Sequence, residues 1–140
     1  MKLKNIKTKK NKYKAKKIEI DGEVFDSKAE ARRWLQLRKM VDTGEIKNLC
    51  RQVEYMLIPR QREQSTETYR SGPHKGQFKP GKLLEREVMY VCDFQYEKNG
   101  KVVVEDVKGY TGGGAYTVFS IKRKLMLMMH GIQVQVVKVR

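Results

Sequence analysis

An Asn-Gly pair at residues 99–100, flanked on both sides by strand-forming residues, constrains this chain more than any other feature. Asn and Gly tolerate the positive φ that a two-residue hairpin turn demands, so strands are expected at about 86–97 and 101–108, paired antiparallel. Counting outward from the turn sets Lys98 opposite Lys101, then Glu97 opposite Val102, Tyr96 opposite Val103, Gln95 opposite Val104 and Phe94 opposite Glu105. Asp93 then falls across from Asp106. Opposed β-carbons lie roughly 4.5–5.5 Å apart, and like charges at that separation destabilise a sheet unless something positive lies between them. A divalent cation would serve. Side chains alternate along a strand, so Lys108 shares the face of Asp106 while Glu105 takes the other. Glu105 could replace Asp106 as a ligand only if the register slipped by one residue.

The charge balance points to the partner. Among 140 residues, 31 bases against 16 acids give a net charge of +15, which favours association with a polyanion, most often nucleic acid. Residues 1–17 hold nine lysines and no acid, and are expected to form a disordered basic arm in which Lys9, Lys10, Lys12, Lys14 and Lys16 contact nucleic acid. The remainder, 18–140, is of a length for one domain. No apolar run approaches the roughly 18–20 residues that span a bilayer, and no secretory signal opens the chain, so an intracellular, cytoplasmic protein is expected. Cys50 and Cys92 lack zinc-motif spacing and read as buried thiols.

Along the chain, Lys17–Glu23 reads as a short strand ending at Asp21-Gly22. Ser27 with Glu30 three residues later forms a capping box, opening a helix whose apolar stripe comprises Ala29, Ala31, Trp34, Leu35, Leu37, Met40 and Val41. Val53–Ile58 reads as a strand stopped by Pro59, and 60–82 as a long flexible loop. After the hairpin, Gly112-Gly113-Gly114 leads into a second helix over Tyr116–His130, with Val118, Ile121, Leu125, Met128 and Met129 at helical spacing and Gly131 as its cap. Val134, Val136, Val137 and Val139 form a last strand. The expected fold class is α/β (α+β), with element order α-β-β-β-α-β around a mixed central sheet.

Each candidate residue has an ordinary alternative. Glu30 could simply reach back to the Ser27 amide; yet it lies in line with Trp34, Leu37 and Val41, so it is expected to point toward the Asp93/Asp106 patch. Asp93 could be a surface aspartate and Asp106 the partner of a nearby base. Lys108 could be a solvated strand-end lysine; beside two carboxylates and a cation it would orient a water nucleophile and stabilise charge on a phosphate. Lys122 and Lys124 are located for phosphate contacts from the second helix. His74 and His130 are isolated and receive no ligand role, and Met126, Met128 and Met129 read as core filler.

With these residues in place the chain resembles the PD-(D/E)XK nuclease superfamily. Asp93 followed by Asp106-Val107-Lys108 matches its signature of an acid, a variable gap and acid-x-lysine, and Glu30 matches a first-helix glutamate. Asn11-Lys12-Tyr13-Lys14, Asp21-Gly22 through Phe25-Asp26-Ser27-Lys28, and Val104-Glu105-Asp106-Val107-Lys108-Gly109 look like a group of small phage-encoded members. Cys92 stands where the signature often has proline, and 60–82 exceeds a minimal core. The resemblance implies a restriction-endonuclease-like core and a DNA endonuclease dependent on Mg2+, or Mn2+ in its place. Asp93, Asp106 and Glu30 would be its ligands and Lys108 its catalytic base or water-orienting group. A phage setting favours branched DNA, such as a Holliday junction, and junction resolution implies a homodimer. The competing class is a non-catalytic basic nucleic-acid-binding accessory protein.

Overall fold

The computed structural model describes residues 17–109 and 111–138. Its elements run β1 (Ile18–Ile20), β2 (Glu23–Phe25), α1 (Lys28–Asp42), β3 (Lys47–Arg51), β4 (Glu54–Ile58), β5 (Gln61–Arg62), β6 (Leu83–Glu85), β7 (Val88–Val91), β8 (Phe94–Lys98), β9 (Lys101–Lys108), α2 (Gly114–His130) and β10 (Gln135–Lys138). Asn99 and Gly100 take φ of 52° and 75°, as the hairpin turn requires, and the five expected pairs from Lys98↔Lys101 to Phe94↔Glu105 all form.

The four-stranded sheet has the order β10-β9-β8-β3, with β10 parallel to β9 and the other pairings antiparallel. This is the mixed central sheet expected, and α1-β3-β8-β9-α2-β10 reproduces the α-β-β-β-α-β order. Two strands differ from expectation. The first core strand is β3, at Lys47–Arg51, which has too little apolar content to be read as a strand because it is half-exposed. The expected long strand at 86–97 is interrupted at Cys92-Asp93, where the chain leaves β4 as partner and takes up β3 and β9.

Helix α1 begins as predicted: the Ser27 hydroxyl accepts a hydrogen bond from the Glu30 backbone N–H at 3.2 Å. It buries Ala31, Trp34 and Leu37 with Phe25, Ile46, Phe94, Tyr96 and Val107. Leu35 and Val41, counted in its stripe, are exposed. Helix α2 buries Phe119 and Met126 with Leu57, Tyr90, Cys92, Val104 and Val134. Val118, Ile121, Met128 and Met129 lie outside that cluster and are exposed, so two of the three methionines are not core filler. Spacing identifies an apolar stripe, but when a helix carries two adjacent ones only packing selects between them. Cys92 is buried as expected, whereas Cys50 is exposed on β3. Among the described residues no helix is long and apolar enough to cross a membrane.

Alternation along β9 places Val103, Glu105 and Val107 toward α1, and Val104 and Asp106 toward α2. Glu105, 2% exposed, accepts hydrogen bonds from Arg33 Nε at 2.8 Å, Arg33 Nη2 at 2.5 Å and the Tyr96 hydroxyl at 2.7 Å. This fork clamps α1 to the sheet, and Glu105 holds Arg33 well into its charged form. Removing the base would strand a buried carboxylate. Arg33→Ala is therefore expected to destabilise the protein by about 3–5 kcal/mol in urea unfolding, and Arg33→Ala with Glu105→Gln by clearly less.

Candidate active site

The hairpin ladder ends at Phe94↔Glu105, one pair short of the expected Asp93–Asp106 opposition. Asp93 lies in the break between β7 and β8, where its carbonyl accepts from Gln52 N–H of the neighbouring strand segment at 3.1 Å. Its carboxylate turns to the end of the ladder, and Oδ2 accepts the Val107 backbone N–H at 2.7 Å. A side chain thus takes over as acceptor where the strand pairing stops. The correction is one of geometry: the two acids are joined through the β9 backbone rather than set side by side on the pleat.

Asp106, 4% exposed, faces α2. Its Oδ1 lies 2.7 Å from Lys108 Nζ, and its Oδ2 accepts a hydrogen bond from the Tyr90 hydroxyl at 2.7 Å. Lys108 in turn sits 4.2 Å from the Phe119 ring centroid, so an aromatic face borders its ammonium. Tyr90, Val91, Asp106, Lys108, Ala115, Val118, Phe119 and Lys122 line a shallow groove of about 270 Å³ between β7, β9 and α2. Lys122, expected to contact phosphate, lines this groove. Lys124 does not line the groove, because two residues along a helix turn the side chain by roughly 200°.

The electrostatics of these groups are coupled. Burial, then the Asp106 charge, pushes Asp93 up to about 7; the Val107 N–H and Lys108 oppose this, and Glu30 adds to it. Glu30 is raised by burial, against the pull of its hydrogen bond with Ser27, and it senses Asp26, Arg51 and Asp106. Desolvation and the bond to Asp106 keep the Tyr90 hydroxyl protonated, and burial moves the Cys92 thiol up to about 11.

Glu30 departs from expectation in its position. Helix α1 covers the sheet face opposite Asp106, and the Glu30 carboxylate Oε1 receives the Ser27 hydroxyl at 3.3 Å. Glu30, Asp93 and Asp106 feel one another's charge without converging: among the described residues, no group of three or more His, Cys, Asp or Glu could hold a metal ion. Glu105 is engaged by Arg33 on the other face of the sheet. The basic-arm residues Lys9, Lys10, Lys12, Lys14 and Lys16 lie outside the described residues.

Two participants escaped the sequence reading. Tyr90 orients Asp106 from β7, and nothing in its spacing distinguishes it from core. Arg51 on β3 stacks over Phe25 at 3.9 Å and donates to the Val24 carbonyl at 2.9 Å and to the Glu23 carboxylate, close enough to favour ionised Glu30. Its signal was hidden with that of β3 itself.

A carboxyl with a raised folded-state pKa binds more protons folded than unfolded. Its contribution to stability is complete below the unfolded value near 4 and is lost as the pH rises through about 7. For metal-free protein, Asp93→Asn should flatten the decline of thermal midpoint between pH 4 and 7, so that the variant gains on wild type as pH rises. Parallel profiles would show that Asp93 ionises normally.

The comparisons with known proteins give one positive result. No curated protein and no solved structure matches the chain significantly. The model of the family DUF1064, described as a protein of unknown function, matches residues 10–139, and the chain belongs to that family.

Proposed function

We propose that this protein is a metal-dependent endonuclease that hydrolyses phosphodiester bonds in DNA, with a branched substrate such as a Holliday junction. The observation that carries the reading is the grouping of Asp93, Asp106 and Lys108 at the end of one buried strand, with Asp93 pushed up to about 7. Two neighbouring carboxylates that resist joint ionisation, with hard oxygen donors, fit a divalent cation better than they fit a bare phosphate. Bound there by Asp93 and Asp106, with Glu30 reaching it only through water, Mg2+ or Mn2+ would supply Lewis-acid stabilisation of the charge on phosphate and leaving oxygen.

The protein's own groups prepare that chemistry. The Val107 N–H fixes Asp93, and the Tyr90 hydroxyl fixes Asp106, so neither acid must reorganise when substrate arrives. The Lys108 ammonium, tethered at 2.7 Å from Asp106, is placed to orient a water and to meet developing negative charge. Lys122 on the opposite wall of the groove holds a flanking phosphate. Cutting both strands of a junction would call for a symmetric pair of subunits.

The test is cleavage of labelled four-way junction, flap, duplex and single-stranded DNA with Mg2+, Mn2+ or chelator. Lys108→Ala should lower metal-dependent cutting by roughly 100- to 1000-fold. Asp93→Asn with Asp106→Asn should abolish cutting while DNA binding persists. Paired symmetric cuts in the junction would establish resolution. Tight binding with no cutting of any substrate by wild type in either metal would instead support the non-catalytic accessory role.

A further inference from the structure

The segment expected as a flexible loop at 60–82 carries backbone pairing between its two arms at several points along its length. β4 pairs with β7, β5 with β6, and Thr68 bridges Phe78, all antiparallel. Between these, Glu63 N–H bonds the Lys82 carbonyl at 2.8 Å, Lys79 N–H the Glu67 carbonyl at 2.8 Å, and Tyr69 N–H the Gln77 carbonyl at 2.9 Å. Cys92 N–H to the Val53 carbonyl, at 3.0 Å, ties the same ladder back to β3 and β8. Residues 47–98 are therefore one long bent hairpin, whose root forms part of the core sheet. A β-carbon on Gly81 would lie 1.8 Å from the Glu63 carbonyl oxygen, so the two arms approach at a point that only glycine permits.

The outer part of this ribbon has no core. No residue from Ile58 to Met89 is buried, and Phe78 is 68% exposed. Two-stranded ribbons are marginal in water by themselves, so an ordered one that leaves a phenylalanine in solvent calls for something to lie against. Its charge says what. The Arg60–Glu87 pair, at 2.5 Å, ties the two arms where the outer part begins. From Thr68 to Lys82 there are Arg70, Lys75, Lys79 and Lys82 and no acid, interleaved with Tyr69, His74 and Phe78, while Glu67 and Glu63 lie across from Lys79 and Lys82 on the outgoing arm. At its other end the ribbon supplies Tyr90 and Val91 to the groove that holds Asp106, Lys108 and Lys122. The ribbon therefore leads outward from one wall of that groove.

We infer that the ribbon tip is a second DNA contact, in which Arg70, Lys75 and Lys82 bind phosphates while Phe78 enters the major groove against base edges. A two-stranded ribbon matches the width of that groove, and an aromatic ring there meets thymine methyl groups. The choice of DNA as partner rests on the nuclease reading; the placement of the contact does not.

Binding of full-length protein to fluorescent duplex DNA, in chelator so that no cutting intervenes, tests the contact across a salt series. The triple variant Arg70→Ala, Lys75→Ala, Lys82→Ala should weaken binding, and the slope of log affinity against log salt should fall by roughly 0.9 for each phosphate no longer neutralised. Phe78→Ala should weaken binding about tenfold with the slope unchanged. Lys101→Ala, at the far hairpin turn, serves as the charge control. Wild-type binding by both ribbon variants, or an equal loss in the control, overturns the proposal. So does duplex RNA of the same sequence bound as tightly and with equal sensitivity to Phe78→Ala, because its major groove is too narrow for a ribbon. Manganese-dependent hydrolysis of bis(p-nitrophenyl) phosphate separates the two readings: ribbon variants should retain the wild-type rate and Lys108→Ala should lose it. Absence of that activity in wild type, with the ribbon effects intact, would remove the nuclease and leave the DNA-binding ribbon standing.

Discussion

Strand β9 carries two adjacent acids into the interior, and the structure depends on each of them finding its own base. Glu105 points to one face and meets Arg33 of α1; Asp106 points to the other and meets Lys108 and Tyr90. A buried carboxylate without a partner is costly, so these pairings fix which face each helix covers and hold β9 in a single register. A slip of one residue would exchange the two acids and leave both without the groups positioned for them.

The two pairings are not equivalent. The Arg33–Glu105 fork is bidentate and reinforced by Tyr96, which is the form of a structural clamp. The Asp106 side opens into a groove, and its base is a lysine two residues along the same strand, next to an aromatic ring. Asp93 adds a second carboxyl that burial and Asp106 together hold near neutrality. A bound cation, as proposed above, would relieve that repulsion. The break between β7 and β8 is what makes the site available, since an uninterrupted strand would have given Val107 a backbone partner and left the Asp93 side chain elsewhere.

That same break sets the course of the long hairpin. Before it, the chain pairs β4 with β7 beyond the edge of the sheet; after it, β8 joins β3 and β9. The ribbon and the groove are thus two consequences of one change of partner, which is why Tyr90 belongs to both.

Much of the centre was legible in the sequence. Asn99-Gly100 determined the hairpin and its five pairs because few residues accept that turn, and strict alternation then separated Glu105 from Asp106 and joined Asp106 to Lys108. Ser27 and Glu30 determined where α1 begins, since a helix N-terminus has backbone donors that only a few side chains satisfy. What stayed hidden depends on neighbours distant in sequence. The strand character of Lys47–Arg51 comes from its neighbour β8, the inward stripe of α2 from the shape of the sheet it covers, and the order of 60–82 from pairing with its own return arm. Local chemistry by itself determined turns, caps and the face of each residue on β9. Only the tertiary structure decided that α1 lies across the sheet from Asp106, because packing rather than periodicity selects the face a helix covers.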